Sequence, residues 1–169
     1  MSSSSYLIIS DIHNRTTALD EVLKRQVRRP DALLFCGDGL RSLSYLAENI
    51  NVFAVGGNWD GLRRLTYPSG FEEEVPDERV INLDGKRILM MHGHTRGVKY
   101  SLTAAIYAAR EADADALVFG HTHTREYFRI DGNSGEKMLE VFNPGSLLDG
   151  DFGTLEIRNG VMLFSHGKI

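Results

Sequence analysis

The 169-residue sequence predicts an α/β domain of two β-sheets packed face to face with helices outside. Three observations carry the prediction. Between Tyr6 and Val55, apolar runs and helical stretches alternate as strand, helix, strand, helix, strand. That spacing implies right-handed crossovers and a parallel sheet. Further on, paired apolar runs flank Asp84-Gly85 and Asn159-Gly160, two-residue sequences that favour type I′ hairpins. No linker, internal repeat or compositional break interrupts the chain, so a single domain over residues 1–169 is expected.

The elements follow in order. Met1–Ser5 reads as a frayed, disordered tail, with no basic n-region and too short an apolar run for a signal peptide. Tyr6-Leu7-Ile8-Ile9-Ser10 fits a buried strand ending in Asp11-Ile12-His13. Thr16 or Thr17 caps a helix to about Arg29, with Ala18, Leu19, Val22, Leu23 and Val27 as its apolar stripe. Ala32 to Cys36 is the second strand, closed by Gly37-Asp38-Gly39. A helix of about eight residues, Ser42 to Glu48, leads to the third strand, Val52 to Val55. Gly56-Gly57-Asn58-Trp59-Asp60 follows it. Gly61 to Pro76 has weaker periodicity and reads as a short helix or loop, then an extended segment. Arg79–Leu83 and Lys86–Met91 form a hairpin running into His92-Gly93-His94. Val98 to Ala112 is helical, and Ala116 to Phe119 is a buried strand running into Gly120-His121-Thr122-His123. A hairpin then pairs Glu126–Ile130 with Lys137–Phe142, Asn143-Pro144-Gly145-Ser146 makes a turn, and Thr154–Ile157 pairs with Val161–Phe164.

Composition bounds the function. The chain is 42% hydrophobic and 25% charged, as in ordinary soluble globular proteins. No apolar run approaches the roughly 20 residues of a membrane span. A net charge of -4 argues against binding long nucleic acid, while leaving a small nucleotide open. The basic residues Lys24, Arg25, Arg28 and Arg29 complement a helix C-terminus. The single cysteine, Cys36, lies in an apolar strand and reads as core, and a reducing cytoplasm is the expected compartment.

Chemistry concentrates at the strand ends. In open α/β sheets, ligands sit beyond the C-terminal edge of the strands. Asp11, His13, Asp38 and Asn58 all fall there. Five of the six histidines, His13, His92, His94, His121 and His123, directly follow buried strands, and only His166 reads as a surface residue. In extended chain, side chains at i and i+2 point the same way. His121 and His123 therefore face one spot, as do Asp11 and His13. Imidazoles and carboxylates converging on one spot suit a borderline divalent metal.

In sum the motifs are Asp-x-His, Gly-Asp, Gly-Gly-Asn, His-Gly-His and Gly-His-Thr-His, in that order. Together they resemble the calcineurin-like metallophosphoesterase superfamily, and more narrowly its small bacterial and archaeal phosphodiesterases, the group that includes the Vps29-like retromer subunit. The resemblance runs from Tyr6 to about Phe164. It implies a four-layer α-β-β-α sandwich of two mixed sheets flanked by helices. It also implies two divalent metal ions, one on Asp11, His13, Asp38 and His123 and the other on Asp38, Asn58, His92 and His121, bridged by Asp38. Mn²⁺ is the expected metal, with Fe²⁺, Zn²⁺ and Ni²⁺ as alternatives. The activity implied is hydrolysis of a small phosphodiester, such as a nucleotide, by in-line attack of a metal-bridging hydroxide. No long nucleic acid or membrane partner is expected, and a homo-oligomer is left open. The rival readings are a phosphomonoesterase and a non-catalytic Vps29-like protein-binding scaffold.

His94, two residues after His92, is placed either against the substrate phosphate or in proton transfer, or else behind His92 as a supporting residue. Two departures from the family pattern stand out. Protein phosphatases of the superfamily carry Gly-Asn-His, whereas this chain has Trp59 there, which argues against that activity. Trp59 either stacks on a nucleobase or aryl group or plugs its loop. An arginine that small relatives carry shortly after Asn-Pro-Gly-Ser is also missing. Arg63, Arg64 and Arg96 are the available replacements, each read first as an exposed surface arginine.

Overall fold

A computed structural model describes residues 3–44, 46, 50–67 and 69–169. The first sheet holds β1 (Ser3–Ile9), β2 (Ala32–Phe35), β3 (Asn51–Ala54), β11 (Asp151–Arg158) and β12 (Val161–Lys168) in the order β12-β11-β1-β2-β3. β1, β2 and β3 run parallel, and β11 pairs antiparallel with both β1 and β12. The second sheet holds β6 (Glu78–Leu83), β7 (Lys86–Met91), β8 (Ala116–Val118), β9 (Arg125–Ile130) and β10 (Leu139–Pro144) in the order β6-β7-β8-β10-β9. It too is mixed: β7, β8 and β10 are parallel, with antiparallel strands at both edges.

The period-2 alternation of each strand sorts its side chains between two layers. From the first sheet, Tyr6, Ile8, Ala32 and Leu34 turn inward. They meet Ile81, Ile88, Met90, Ala116, Val118 and Phe142 of the second. The intervening residues Leu7, Ile9, Leu33 and Phe35 face outward, against Ala18, Leu19 and Val22 of helix α1 (Thr16–Arg25). On the other side Leu89, Met91, Leu117 and Val141 pack on Ala105, Ala108 and Ala109 of helix α2 (Thr103–Glu111). The result is the four-layer α-β-β-α sandwich, with strands buried on both faces as parallel sheets require.

Several local expectations are corrected. Ser3–Ser5 is not a tail: it extends β1 and pairs with Glu156–Arg158. The Ser3 hydroxyl donates to Glu156 Oε1 (2.6 Å), and the Ser5 N–H donates to Asp31 Oδ2 (2.8 Å). α1 stops at Arg25, and Val27 stands fully in solvent. The chain must leave the helix there so that the Asp31 N–H can reach the Ser5 carbonyl at the start of β2. In place of a helix from Ser42, a 3₁₀ turn spans Leu40–Leu43. The rest of that prediction falls largely outside the described residues. The acidic run Glu72–Glu74 is strand β5, hairpinned to β4 (Arg64–Thr66). Arg64 pairs with Glu72, and Arg79 with Glu73. α2 begins later than Val98, after turns from His94 to Ser101. Both I′ hairpins form as expected, with φ positive at Asp84, Gly85, Asn159 and Gly160. Among the described residues no helix is long and apolar enough to cross a membrane.

Candidate metal centre

Both sheets deliver polar residues to one edge. Asp11 and His13 follow β1, Asp38 follows β2 and Asn58 follows β3. His92 follows β7, and His121 and His123 follow β8. The hydrogen bond from the Gly120 N–H to the His92 carbonyl ties the last two ends together (3.1 Å). These loops do not continue as extended chain. Asp11, His13, Asp38, His121 and His123 all adopt positive φ, from 50° to 68°. Left-handed backbone at non-glycine residues is uncommon and held only where surroundings enforce it. Five such residues at one edge mark a built site, and the i, i+2 convergence arises from these kinks, not from simple strand geometry.

The side chains gather into two groups, Asp11 with His13 and His123, and Asp38 with His92 and His121. Within each, candidate ligand atoms lie within 4.8 Å of one another. Asn58 joins the second, its Oδ1 3.1 Å from His92 Nε2. The groups adjoin: His92 Nε2 is 3.2 Å from Asp38 Oδ2 and 4.0 Å from Asp11 Oδ1. All seven expected ligand residues are thus brought together.

The electrostatics suit a cation. His92 Nδ1 lies 2.7 Å from the Cys36 carbonyl. A carbonyl only accepts, so Nδ1 carries the proton. His92 Nε2 then faces Asp38 Oδ2, Asn58 Oδ1 and His121 Nδ1, the last also 3.1 Å away. One proton cannot satisfy that cluster of lone pairs, whereas a metal ion can. Asp11 Oδ1 is buried, 3.2 Å from His123 Nε2, and accepts no hydrogen bond. Such an orphaned carboxylate oxygen fits a ligand awaiting its ion. Burial pushes the Asp11 carboxyl up. For His92, burial works downward, but its hydrogen bond to Asp38 and the nearby carboxylates outweigh it and raise the imidazole. Burial and the neighbouring His92 push His121 down to about 4, leaving its lone pair free at neutral pH. The mixed oxygen and imidazole set matches a borderline divalent ion.

Residues behind the ligands fix them, and sequence reasoning missed the main ones. The Asp60 carboxylate accepts from the N–H groups of Asp38, Gly39, Leu40 and Gly57 at 2.7–2.9 Å. Asn143, read as a turn residue, is fully buried. Its Nδ2 donates to the Gly120 carbonyl (3.2 Å) and to Thr122 Oγ1 (3.0 Å), gripping the His121–His123 loop. The Ser10 hydroxyl donates to Asp11 Oδ2 (2.6 Å). Gly57 is required by close approach, since a Cβ there would collide with Asp38 Oδ1. His166, expected at the surface, is partly buried. Its ring stacks on Phe142 and Nε2 donates to the Asn143 carbonyl (2.7 Å).

His94 lies beside the second group, its ring 5.4 Å from that of His92. Arg63 Nη2 donates to His94 Nε2 (3.2 Å), so Nδ1 holds the imidazole proton, buried and without a partner. Burial, then the adjacent His92 and Arg63, lower the His94 pKa. Of the three replacement arginines, Arg64 is engaged by Glu72 and Arg96 by Glu78, while Arg63 alone of the three reaches the site, also pairing with Asp77. Trp59 is 76% exposed. Its backbone N–H donates to Asp38 Oδ1 (2.8 Å), and its ring stands edge-on to His13 (centroids 6.2 Å apart).

This fold and this edge of carboxylates, amide and imidazoles define a metallophosphoesterase-type domain. The chain belongs to the calcineurin-like phosphoesterase superfamily, whose domain description matches residues 5–164. It is 32% identical over 142 residues to the probable metallophosphoesterase YsnB of Bacillus subtilis, covering 83% of this chain and 73% of that one. It is 26% identical over 148 residues to the phosphodiesterase MJ0936 of Methanocaldococcus jannaschii, covering 82% and 81%. Among solved structures, vacuolar protein sorting 29 of Cryptosporidium parvum shares the fold, with TM-score 0.67 and 19% identity over 99% of this chain and 98% of that one.

Proposed function

We propose that the protein is a dinuclear-metal-dependent phosphodiesterase acting on a small phosphodiester. The observation that carries this reading is the pair of adjoining ligand groups, Asp11–His13–His123 and Asp38–His92–His121, with Asn58 at the second. In the proposal Asp38 bridges the two ions, and Mn²⁺ is the working metal. Such a pair of cations offsets phosphoryl charge and supplies a nucleophile at neutral pH. The chain's own residues do the rest. His92 is held in the ligating tautomer by the Cys36 carbonyl. Asp38 is fixed from behind by the Asp60-bound loop and by the Trp59 N–H. His94 and Arg63 flank the second group, where the Arg63 guanidinium, braced by His94 Nε2, can contact phosphoryl oxygens.

The filled ligand set favours an enzyme over a protein-binding scaffold, and Trp59 in place of a histidine disfavours protein phosphatase activity. The test is hydrolysis of bis-p-nitrophenyl phosphate beside p-nitrophenyl phosphate, with and without Mn²⁺ after chelation. Mn²⁺-dependent cleavage favouring the diester supports the proposal. Preference for the monoester moves the substrate class to phosphomonoesters. Inactivity of folded, metal-loaded protein toward both moves the function to a scaffold.

A further inference from the structure

A cleft of about 720 Å³ opens beside His13 and Asp38, one residue from each ligand group. One wall is the loop after β3 with Trp59 and Leu62, another is the Leu40–Leu43 turn with Ser42, and the β4–β5 hairpin contributes Thr66. Asn14 and Thr16 line the side next to His13. The volume falls within the range of small-molecule sites, roughly 300–1,000 Å³. Its lining is mixed, with Trp59 and Leu62 as the large apolar residues among polar and charged ones.

An indole this exposed is ordinarily mobile, and this one has a rigid base. The backbone N–H of Trp59 donates to Asp38, and its loop is tied through Gly57 to the Asp60 carboxylate. The ring thus stands on an anchored backbone, edge-on to His13 and beside the candidate ligands, within a cleft that also presents hydrogen-bond donors and acceptors. Arg41 and the Arg64–Glu72 ion pair also line it. A flat aromatic group attached through a polar, hydroxylated spacer matches that sequence of surfaces, and an aromatic ring stacks on any base through its π-face.

We propose that this cleft binds the organic substituent of the phosphoester, and that Trp59 stacks on a planar aromatic group there, a nucleobase being the intended occupant. The assignment rests on the phosphodiesterase reading and names the substrate class for it. Trp59 is the specificity-determining residue, and Asn14, Thr16 and Ser42 face the sugar.

Trp59 is the only tryptophan, so it reports its own occupancy. Mn²⁺-loaded protein is titrated with adenosine 5′-monophosphate, phenyl phosphate and ribose 5-phosphate, by tryptophan fluorescence and by calorimetry. The nucleotide quenches fluorescence saturably and binds about tenfold or more tighter than ribose 5-phosphate, within the range of one base–aromatic stack. Trp59→Leu erases that difference in calorimetry and leaves ribose 5-phosphate affinity unchanged. A nucleotide advantage over phenyl phosphate assigns the cleft to nucleosides, and equal affinity assigns it to aryl esters generally. Equal binding of adenosine 5′-monophosphate and ribose 5-phosphate, a preference that survives Trp59→Leu, or no binding of either overturns the inference. Loss of hydrolysis with the stacking preference intact would count instead against the phosphodiesterase reading.

Discussion

The Asp60 carboxylate holds the backbone of Asp38 from across the site: the Asp38 N–H donates to Asp60 Oδ2 at 2.8 Å. The same carboxylate takes the N–H groups of Gly39, Leu40 and Gly57. Asp60 is therefore a positioning residue that never needs to touch the substrate. Asp60→Ala leaves these N–H groups without an acceptor. Its expected effect is about 2–4 kcal/mol less stability, since hydrogen bonds to charged groups contribute roughly 1.5–3 kcal/mol each and water replaces some of them. Mn²⁺ affinity should fall about 10–100-fold, as for other supports of metal ligands. Calorimetric Mn²⁺ titration with a thermal melt reads both. Unchanged Mn²⁺ affinity would remove Asp60 from this role.

Gly57→Ala tests the same loop by steric means. The added Cβ would meet Asp38 Oδ1, and Asp38 N at 2.5 Å, both of them fixed atoms. Mn²⁺ binding should weaken by more than about tenfold, by analogy with loss of a ligand support. Gly85→Ala is the control: its φ is positive, unlike that of Gly57, but no atom lies within 4 Å. It costs about 1 kcal/mol in stability and leaves metal binding alone. Equal metal affinities in the two variants would contradict the close-approach argument.

Asn143 holds the His121–His123 loop from below. Replacing it with Ala orphans the Gly120 carbonyl and the Gly145 N–H, at a cost of about 1–3 kcal/mol per buried group. Asn143→Asp should rescue the Gly145 contact but not the Gly120 contact, since a carboxylate cannot donate to a carbonyl. Paired thermal melts and Mn²⁺ titrations of the two variants check the order Asn143 > Asp > Ala in stability. An Ala variant as stable as the parent would refute it.

Stability at alkaline pH depends on two buried donors. Burial, then the hydrogen bond to Asp84, push the Tyr6 phenol up to about 12, and burial also pushes the Cys36 thiol up. Both folded pKa values lie above the unfolded ones. The stability they contribute is complete below about pH 8.5 for the thiol and about pH 10 for the phenol. It is lost as pH rises through those values toward the folded ones. Melting temperature should fall steeply from about pH 9 upward, and Tyr6→Phe should flatten the part above pH 10. At pH 8, Cys36 should react with a thiol reagent only as fast as the protein opens. Immediate labelling in native buffer would contradict its burial.

How far the sequence disclosed this site depends on where each residue acts. Asp11, Asp38, His92 and His121 were legible because each directly follows an apolar run, and parallel strands end on one edge. The hairpins at Asp84-Gly85 and Asn159-Gly160 were legible because their turn chemistry is local. Asp60 was not, because its partners are backbone N–H groups some 20 residues away, which side-chain patterns do not encode. Asn143 looked like a turn residue because Pro144 and Gly145 follow it, though its side chain points into the site. Val27 continued the stripe of α1 in sequence. The helix nonetheless ends before it, because pairing of Asp31 with Ser5 outweighs the exposure of one valine. Ser3–Ser5 looked like a tail because β-pairing with residues 156–158 is a long-range fact.

The central claim is two metal ions held by seven side chains with Asp38 between them. The most direct measurement is the metal content of Mn²⁺-loaded, desalted protein and of its Asp38→Asn variant, by elemental analysis. The account predicts about two ions per chain in the parent, as in two-metal phosphoesterase sites, and fewer in the variant together with loss of diesterase activity. Absence of bound metal in the parent, or an Asp38→Asn variant with unchanged metal content and activity, would contradict it.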